Sequence, residues 1–344
     1  MTFLEQAQAL HQELTVVDAH HDIPMDVAHQ HLMGKTSILS EYWGPRMHQG
    51  GINVQIMPTY VEGRYLPSLG MREIFRMVEA MLRDAEEDDS LVRSVTSFAA
   101  IEDALRDGRI ASVIAIEGCD GIGGDPAILR VLYRLGVRMV SLTWDRRNAF
   151  ADGTGQENPG GLTKAGRTAV QQMFAHNIIC DVSHLAEPGF WEVIDLAAGP
   201  IVASHSNAKA ICDHRRNLSD DQIRAIADTG GVIGLNFYGY FVDADSPTLE
   251  KLADHCEHMV KLVGIDHIGI GADFLDGRLR DVARTAYRES GLDAAAVDAW
   301  IPGCDAVEEL PKFTAVLLER GFSRDDIAKI LGHNFLRVFK QVWR

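Results

Sequence analysis

Short apolar runs rich in β-branched residues recur along this chain, and longer stretches with helical periodicity separate most of them. Eight runs stand out, at 14–19, 52–57, 111–116, 138–143, 178–183, 201–204, 232–237 and 267–272. Each is apolar along its length instead of alternating, which suits parallel strands covered on both faces. Helical patterns fill 71–88, 126–135, 163–175, 188–196, 219–229 and 246–263, several opening on Ser, Thr or Pro, and 305–320 and 323–343 supply closing helices. Eight such strand and helix units predict an α/β fold, a TIM-type (β/α)8 barrel, with residues 1–344 as a single domain. No linker, low-complexity tract or fixed-period repeat interrupts the pattern. Two excursions are less regular. The segment 24–50 carries Met, His and Trp without a clear amphipathic stripe and reads as a cover over an active site, and 275–302 is a second long connection.

A formal charge of -16 without basic clusters excludes nucleic acid and anionic membrane as expected partners. The cysteines 119, 180, 212, 256 and 304 are odd in number and lack CxxC spacing, so neither a disulfide framework nor a thiolate zinc site is expected. Most of them read as buried thiols, Cys119 and Cys180 included, although both lie near candidate ligands. Residues 1–15 lack the apolar core of a signal peptide and no segment approaches the ~20 apolar residues of a membrane span, so a cytoplasmic protein is expected.

The chemistry lies at the carboxyl ends of the apolar runs, where a parallel barrel builds its active site. The first run ends in His20-His21-Asp22; alternate residues of a strand share a face, so His20 and Asp22 point one way and His21 the other. Glu117 ends the third run, His184 the fifth, His205 the sixth and Asp273 the eighth. Singly, each has a plain structural alternative, a hydrogen-bonded histidine or a helix-capping aspartate. Three histidines and three carboxylates at matching strand ends instead predict a metal site. The remaining histidines lack this placement and read as surface or structural residues. Imidazole and carboxylate ligands suit zinc, and their number exceeds what one open tetrahedral ion uses, so two Zn2+ ions per chain are expected. His20 and Asp22 would hold one, His184 and His205 the other, with Glu117 bridging. The charges of Asp22, Glu117, Asp273 and a bridging hydroxide would offset two dications. Hydroxide held between cations attacks carbonyls at neutral pH, with Asp273 carrying the proton, so hydrolysis of a carbonyl compound is expected.

These residues sit in motifs that resemble the membrane dipeptidase, or renal dipeptidase, family of binuclear zinc peptidases. Asp18-Ala19-His20-His21-Asp22 is similar to the family's opening motif, Ile116-Glu117-Gly118 to its bridging-Glu motif, and Asp181-Val182-Ser183-His184 and Ser204-His205-Ser206 to its histidine motifs. Arg216-Asn217-Leu218-Ser219-Asp220, Asn236-Phe237-Tyr238, Gly271-Ala272-Asp273-Phe274 and the closing segment 332–339 also match. The resemblance implies that His20, Asp22 and Glu117 bind one zinc, that Glu117, His184 and His205 bind the second, and that Asp273 transfers protons. It places the substrate's terminal carboxylate on Arg216, whose forked guanidinium suits that role, and puts Tyr238 and Asn236 in the substrate pocket. The implied activity is hydrolysis of small dipeptides, D-residues at the carboxyl end included, by a soluble bacterial-type relative that forms a homodimer as family members commonly do. Hydrolysis of N-acyl amino acids or lactones, deamination, and a non-catalytic binding barrel are the alternatives. One position departs: family members from mammals carry a histidine after the Leu-Thr of the fourth strand, where it contacts substrate, and here Leu142-Thr143 is followed by Trp144. An indole offers only an N–H donor, so Trp144 is expected in the substrate-binding pocket without the imidazole's role, for which Asp145, Arg147 or Asn148 is the expected substitute.

Overall fold

The computed structural model describes residues 1–289 and 294–343. Among them are nine strands: β1 (Val16–Asp18), β2 (Ile52–Tyr60), β3 (Val92–Ser94), β4 (Ile110–Glu117), β5 (Met139–Ser141), β6 (Ile179–Asp181), β7 (Val202–Ala203), β8 (Val232–Leu235) and β9 (Ile268–Ile270). They pair in parallel in the order β2-β1-β9-β8-β7-β6-β5-β4, and pairing of β2 with β4 closes the sheet into an eight-stranded barrel. All eight apolar runs become barrel strands. The unexpected β3 pairs Val92 with Ile110 at the start of β4, on the edge that β5 takes over from Ala115 onward. It covers backbone groups that β4, which begins lower than β5, would otherwise leave unpaired. Three residues are too few to show a periodic signal.

Several helices form where the sequence supplies both an apolar stripe and a cap. Thr163 accepts a hydrogen bond from Gly166 N–H at the head of Lys164–Ala175, Ser219 and Gln222 form a capping box before Asp220–Asp228, and Thr248 caps Leu249–Val263. The helix Phe98–Arg106, capped by Ser97, was not expected. Inside the barrel, Val54, Val113, Met139, Ile179, Val202 and Val232 pack with Phe335, Val338 and Phe339 of the helix Asn334–Val342. Trp343 follows that helix; its Nε1–H donates to the Arg138 carbonyl at 3.1 Å, and its own carbonyl accepts from Phe98 N–H at 2.8 Å. The carboxyl-terminal helix thus stoppers the end where the strands begin. The end where they finish is left for chemistry.

The excursion 24–50 sends Met25 to the cavity over the strand ends and packs much of the rest into the core. It folds into the helix Ile23–Leu32, a wide turn at Leu39–Trp43 and the helix Gly44–Gln49, with Ile38, Leu39, Trp43 and Met47 in the core. Ile23–Leu32 packs against β2 and the helices Gly70–Glu87 and Gly277–Glu289, so its apolar positions are spread around the axis and no single stripe marks it. Of the second excursion, residues 290–293 lie outside the described residues. The remainder contains the helix Gly277–Glu289 and runs beside the strand ends.

Backbones approach closely at one layer. A Cβ on Gly271 would lie 1.7 Å from the Ser204 carbonyl oxygen and one on Gly234 2.0 Å from the same atom. Gly271→Ala is therefore expected to destabilise the protein by about 1–3 kcal/mol, as overpacking does, seen as a lower denaturation midpoint at unchanged m-value.

Candidate metal centre

The candidate ligands gather at the mouth of the barrel because each follows a strand that the sheet holds in register. His20 and Asp22 follow β1, Glu117 ends β4 opposite Tyr60 of β2, His184 follows β6, His205 follows β7 and Asp273 follows β9. His184 and Asp273 have φ of 66° and 61°, a left-handed conformation that costs a non-glycine residue roughly 1–3 kcal/mol. Their neighbours hold them there. The His184 carbonyl accepts from Thr154 N–H at 2.9 Å and from Thr143 Oγ1–H at 3.2 Å, and Asp273 N–H donates to the His20 carbonyl at 3.1 Å.

Ligand atoms of His20, Asp22 and Glu117, of Glu117, His184 and His205, and of His20, His205 and Asp273 each lie within 4.8 Å of one another. Glu117 Oε1 is common to the first two sets, 3.7 Å from His20 Nε2, 2.9 Å from His184 Nε2 and 3.5 Å from His205 Nε2. Hydrogen bonds on the far side of each ring fix what those nitrogens offer. His184 Nδ1 faces Asp145 Oδ1 at 2.8 Å, an atom that only accepts, so Nδ1 carries the proton and Nε2 a lone pair. Ser204 Oγ donates to Asp181 Oδ2 and must accept from His205 Nδ1, 2.7 Å away, which leaves His205 Nε2 a lone pair as well. The two Nε2 atoms are 3.0 Å apart, with Glu117 Oε1 beside both. Three acceptors facing one another in a buried space are satisfied by a cation. His20 adds to this: both of its ring nitrogens, and Asp22 Oδ1, are buried without a hydrogen-bond partner. The donor set fits a divalent metal.

Protonation equilibria carry the same message. Burial, followed by repulsion from Asp273, pushes Asp22 up to about 8, and burial with the charges of Asp22 and Asp273 raises Glu117 well above the carboxylate range. Burial, then the neighbouring imidazoles and Arg216, pushes His20 and His205 far down, and burial with Arg216 takes His184 to about 4 despite Asp145. Without a cation the carboxylates hold protons and the imidazoles stay neutral. Burial also lifts Asp273 to about 6, although Asn236 and Arg216 oppose it. His21 points away from the cluster, as expected, with Nε2 at 3.2 Å from Asp276 Oδ1.

A cavity of about 480 Å³ opens over the cluster, and Asp22, Glu117, His184 and Asp273 line its floor. Arg216 lines it too: 3 % exposed, it donates from one Nη to the His205 carbonyl at 3.2 Å, and its Nε is buried without a partner. Tyr238 and Trp144 are also in the wall. Asn236, expected against the substrate, is fully buried behind Asp273 instead: its amide donates to Asp273 Oδ2 at 2.9 Å, while its Oδ1 accepts from Tyr238 N–H at 2.7 Å. A residue one strand end away has more to gain from fixing the carboxylate than from reaching past it. Trp144 lies with its ring centroid 5.7 Å from that of His184 and 5.1 Å from that of Tyr60. Of its three neighbours, only Asp145 reaches the centre. Arg147 pairs with Asp152 and Asn148 donates to the Leu142 carbonyl, both within their own loop.

Sequence reasoning passed over Asp181, Ser204 and His214. The first two lie in the Asp-x-Ser-His and Ser-His motifs, and the repeated Ser-His doublet is the signal that points to them. His214, treated as structural, lines the cavity and packs on Phe241 at 4.7 Å. His255 is structural as expected, donating from Nε2 to the Val242 carbonyl and accepting at Nδ1 from Ala208 N–H. Cys119 and Cys180 are buried free thiols, and burial pushes Cys180 up to about 12. No helix among the described residues is long and apolar enough to cross a membrane.

The family model "Membrane dipeptidase (Peptidase family M19)" matches residues 4–285 and 291–344. The chain belongs to the membrane dipeptidase family. The enzyme class that this membership carries is a metal-dependent dipeptidase. The chain is 38% identical over 242 residues to the dipeptidase verJ of Clonostachys rogersoniana, a match covering 70% of this chain and 57% of that protein. It is 31% identical over 311 residues to the dipeptidase aclJ of Aspergillus oryzae, covering 87% of this chain and 69% of the relative. Among solved structures, an amidohydrolase from Pseudomonas aeruginosa superposes with a TM-score of 0.82 at 26% identity over 100% of this chain and 99% of that one. The dipeptidase AC, described as a metallopeptidase of family M19, superposes at 0.81 with 25% identity over 96% and 99%.

In this member of the membrane dipeptidase family, removing the carboxylate behind a ligand histidine tests the tautomer argument. Asp145→Ala is expected to weaken divalent-metal binding by about 10–100-fold while far-ultraviolet circular dichroism stays unchanged, as measured by competition with a chromogenic chelator.

Proposed function

We propose that the chain hydrolyses the peptide bond of small dipeptides with a free carboxyl terminus, D-residues at that end included, using two zinc ions. The observation that carries this reading is the convergence of His184 Nε2, His205 Nε2 and Glu117 Oε1, three acceptors aimed at one point. His20, Asp22 and Glu117 would hold one ion, and Glu117, His184 and His205 the other. When bound, such ions acidify a water so that it serves as nucleophile and polarise the scissile carbonyl.

The chain's own residues do the rest. Asp273, oriented by Asn236, would take the proton of the attacking water and deliver it to the leaving amine; its Oδ1 lies 3.8 Å from His20 Nε2, beside the candidate ligands. Arg216 receives the terminal carboxylate. Its guanidinium is already desolvated and anchored on one side by the His205 carbonyl, so little ordering remains to oppose binding. A carboxylate held there ties the substrate to the same strand-end loop that carries a metal ligand.

Two substitutions separate the roles. His205→Ala is expected to lose one of two zinc equivalents by elemental analysis, whereas Asp273→Asn is expected to retain both and lose about 10²–10⁴-fold in kcat; normal turnover in Asp273→Asn would remove its assigned role. A panel of L,L and L,D dipeptides, N-acyl amino acids and lactones tests the bond that is cleaved. Metal uptake has a proton signature. At pH 7 the metal-free protein holds protons on Asp22, raised to about 8, and on Glu117. Titrating zinc into it should release about one to two protons per chain, read by calorimetry in buffers of different ionisation enthalpy. Because Asp22 is raised on folding, its contribution to the stability of the metal-free protein is lost as pH rises from the ordinary carboxylate range through about 8, and the raised Glu117 acts in the same direction.

A further inference from the structure

The wall of the cavity beside Arg216 is aromatic and continuous. The Arg216 guanidinium carbon lies 5.3 Å from the Phe241 ring centroid; Phe241 is 4.7 Å from Tyr238, and Tyr238 is 5.0 Å from Trp300. These rings come from two separate parts of the chain, the loop after β8 and the end of the second excursion. Backbone pairing locks them together: Tyr238 and Trp300 form an antiparallel bridge, and Gly239 N–H donates to the Ala299 carbonyl at 2.6 Å. Trp300 is 5 % exposed, and Leu275 and Ala283 extend the apolar lining beyond it.

We propose that this wall is a subsite for a bulky apolar or aromatic side chain on the carboxyl-terminal residue of the substrate. The inference rests on the reading of Arg216 as the carboxylate receptor. The side chain of the terminal residue springs from the carbon that bears the carboxylate, so a carboxylate on Arg216 starts that side chain within reach of Phe241. The side chain then lies along Phe241, Tyr238 and Trp300. A methyl group in that position leaves most of the rings uncovered, whereas a benzyl or isobutyl group covers them and removes apolar surface from water. Because the bridge fixes the wall before substrate arrives, little of that gain is lost in ordering it. The cavity of about 480 Å³ has room for such a side chain beyond a dipeptide backbone. Trp144 and Tyr60 line the opposite side, against the ligand His184, and so face a different part of the substrate.

The zinc-loaded full chain is assayed with Ala-Ala, Ala-Phe, Ala-Leu and the reversed dipeptide Phe-Ala. The subsite predicts a kcat/KM for Ala-Phe at least about tenfold above that for Ala-Ala, with Ala-Leu between them and Phe-Ala gaining no comparable advantage. Trp300→Ala should bring the ratio of Ala-Phe to Ala-Ala toward one. Since Trp300 is buried, Phe241→Leu serves as a second variant that keeps apolar volume while removing the ring next to Arg216, and the same fall in ratio is expected. Turnover of all four dipeptides without preference, or preference for Phe-Ala, overturns the subsite and leaves the dipeptidase reading standing. No turnover of any dipeptide by zinc-loaded protein overturns both.

Discussion

Everything at the mouth of this barrel depends on lone pairs that face one another where water is largely excluded. His184 and His205 turn their unprotonated nitrogens toward the same carboxylate oxygen because the opposite nitrogen of each ring is committed to an oxygen behind it. Such an arrangement repels itself unless a cation stands in the middle or, in its absence, a proton stays on Glu117. The protein supplies the repulsion in advance by burying the groups, and burial with neighbouring carboxylates keeps Glu117 and Asp22 protonated until the charge is offset. Metal affinity, protonation and local stability are therefore one linked quantity.

The barrel makes this self-opposed cluster tolerable. Its strands end at a common layer, so five short segments can each contribute one or two donors without long loops. The stopper helix Asn334–Val342 and the glycines that press against the Ser204 carbonyl make the layer below dense. Ser204 itself joins the two levels. Its backbone is gripped by β8 and β9, and its hydroxyl connects the buried Asp181 to the ring of His205. The left-handed backbone at His184 and Asp273 is held by hydrogen bonds, from Thr154 and Thr143 to the His184 carbonyl and from Asp273 N–H to the His20 carbonyl.

Above the cluster the chain departs from the mammalian pattern of the membrane dipeptidase family. Trp144, at the position where the family resemblance predicts a histidine, packs beside His184, while the adjacent Asp145 sits on the far side of that ligand. The loop after the fourth apolar run thus gives the centre a supporting carboxylate and an aromatic wall in place of an imidazole. The opposite wall, from Phe241 to Trp300, is aromatic as well. Between these walls Arg216 supplies a buried positive charge.

The order of apolar runs was enough to predict the barrel, because parallel strands buried on both faces leave an uninterrupted signature whatever their partners. Strand ends marked His20, Asp22, Glu117, His184, His205 and Asp273, since period-two geometry and the single catalytic face of such a barrel are local rules. The helix Ile23–Leu32 was hidden because it is buried on several sides and carries no stripe, and β3 because three residues show no period. Asn236 was expected to touch substrate and is instead buried behind Asp273; Asp145 was expected only as a stand-in for the missing imidazole and Ser204 had no assigned role, yet both hold the ring nitrogens that face away from the cluster. What only the tertiary structure decided is which side chain stands behind which. That depends on distances between segments far apart in sequence, and local pattern carries no record of them.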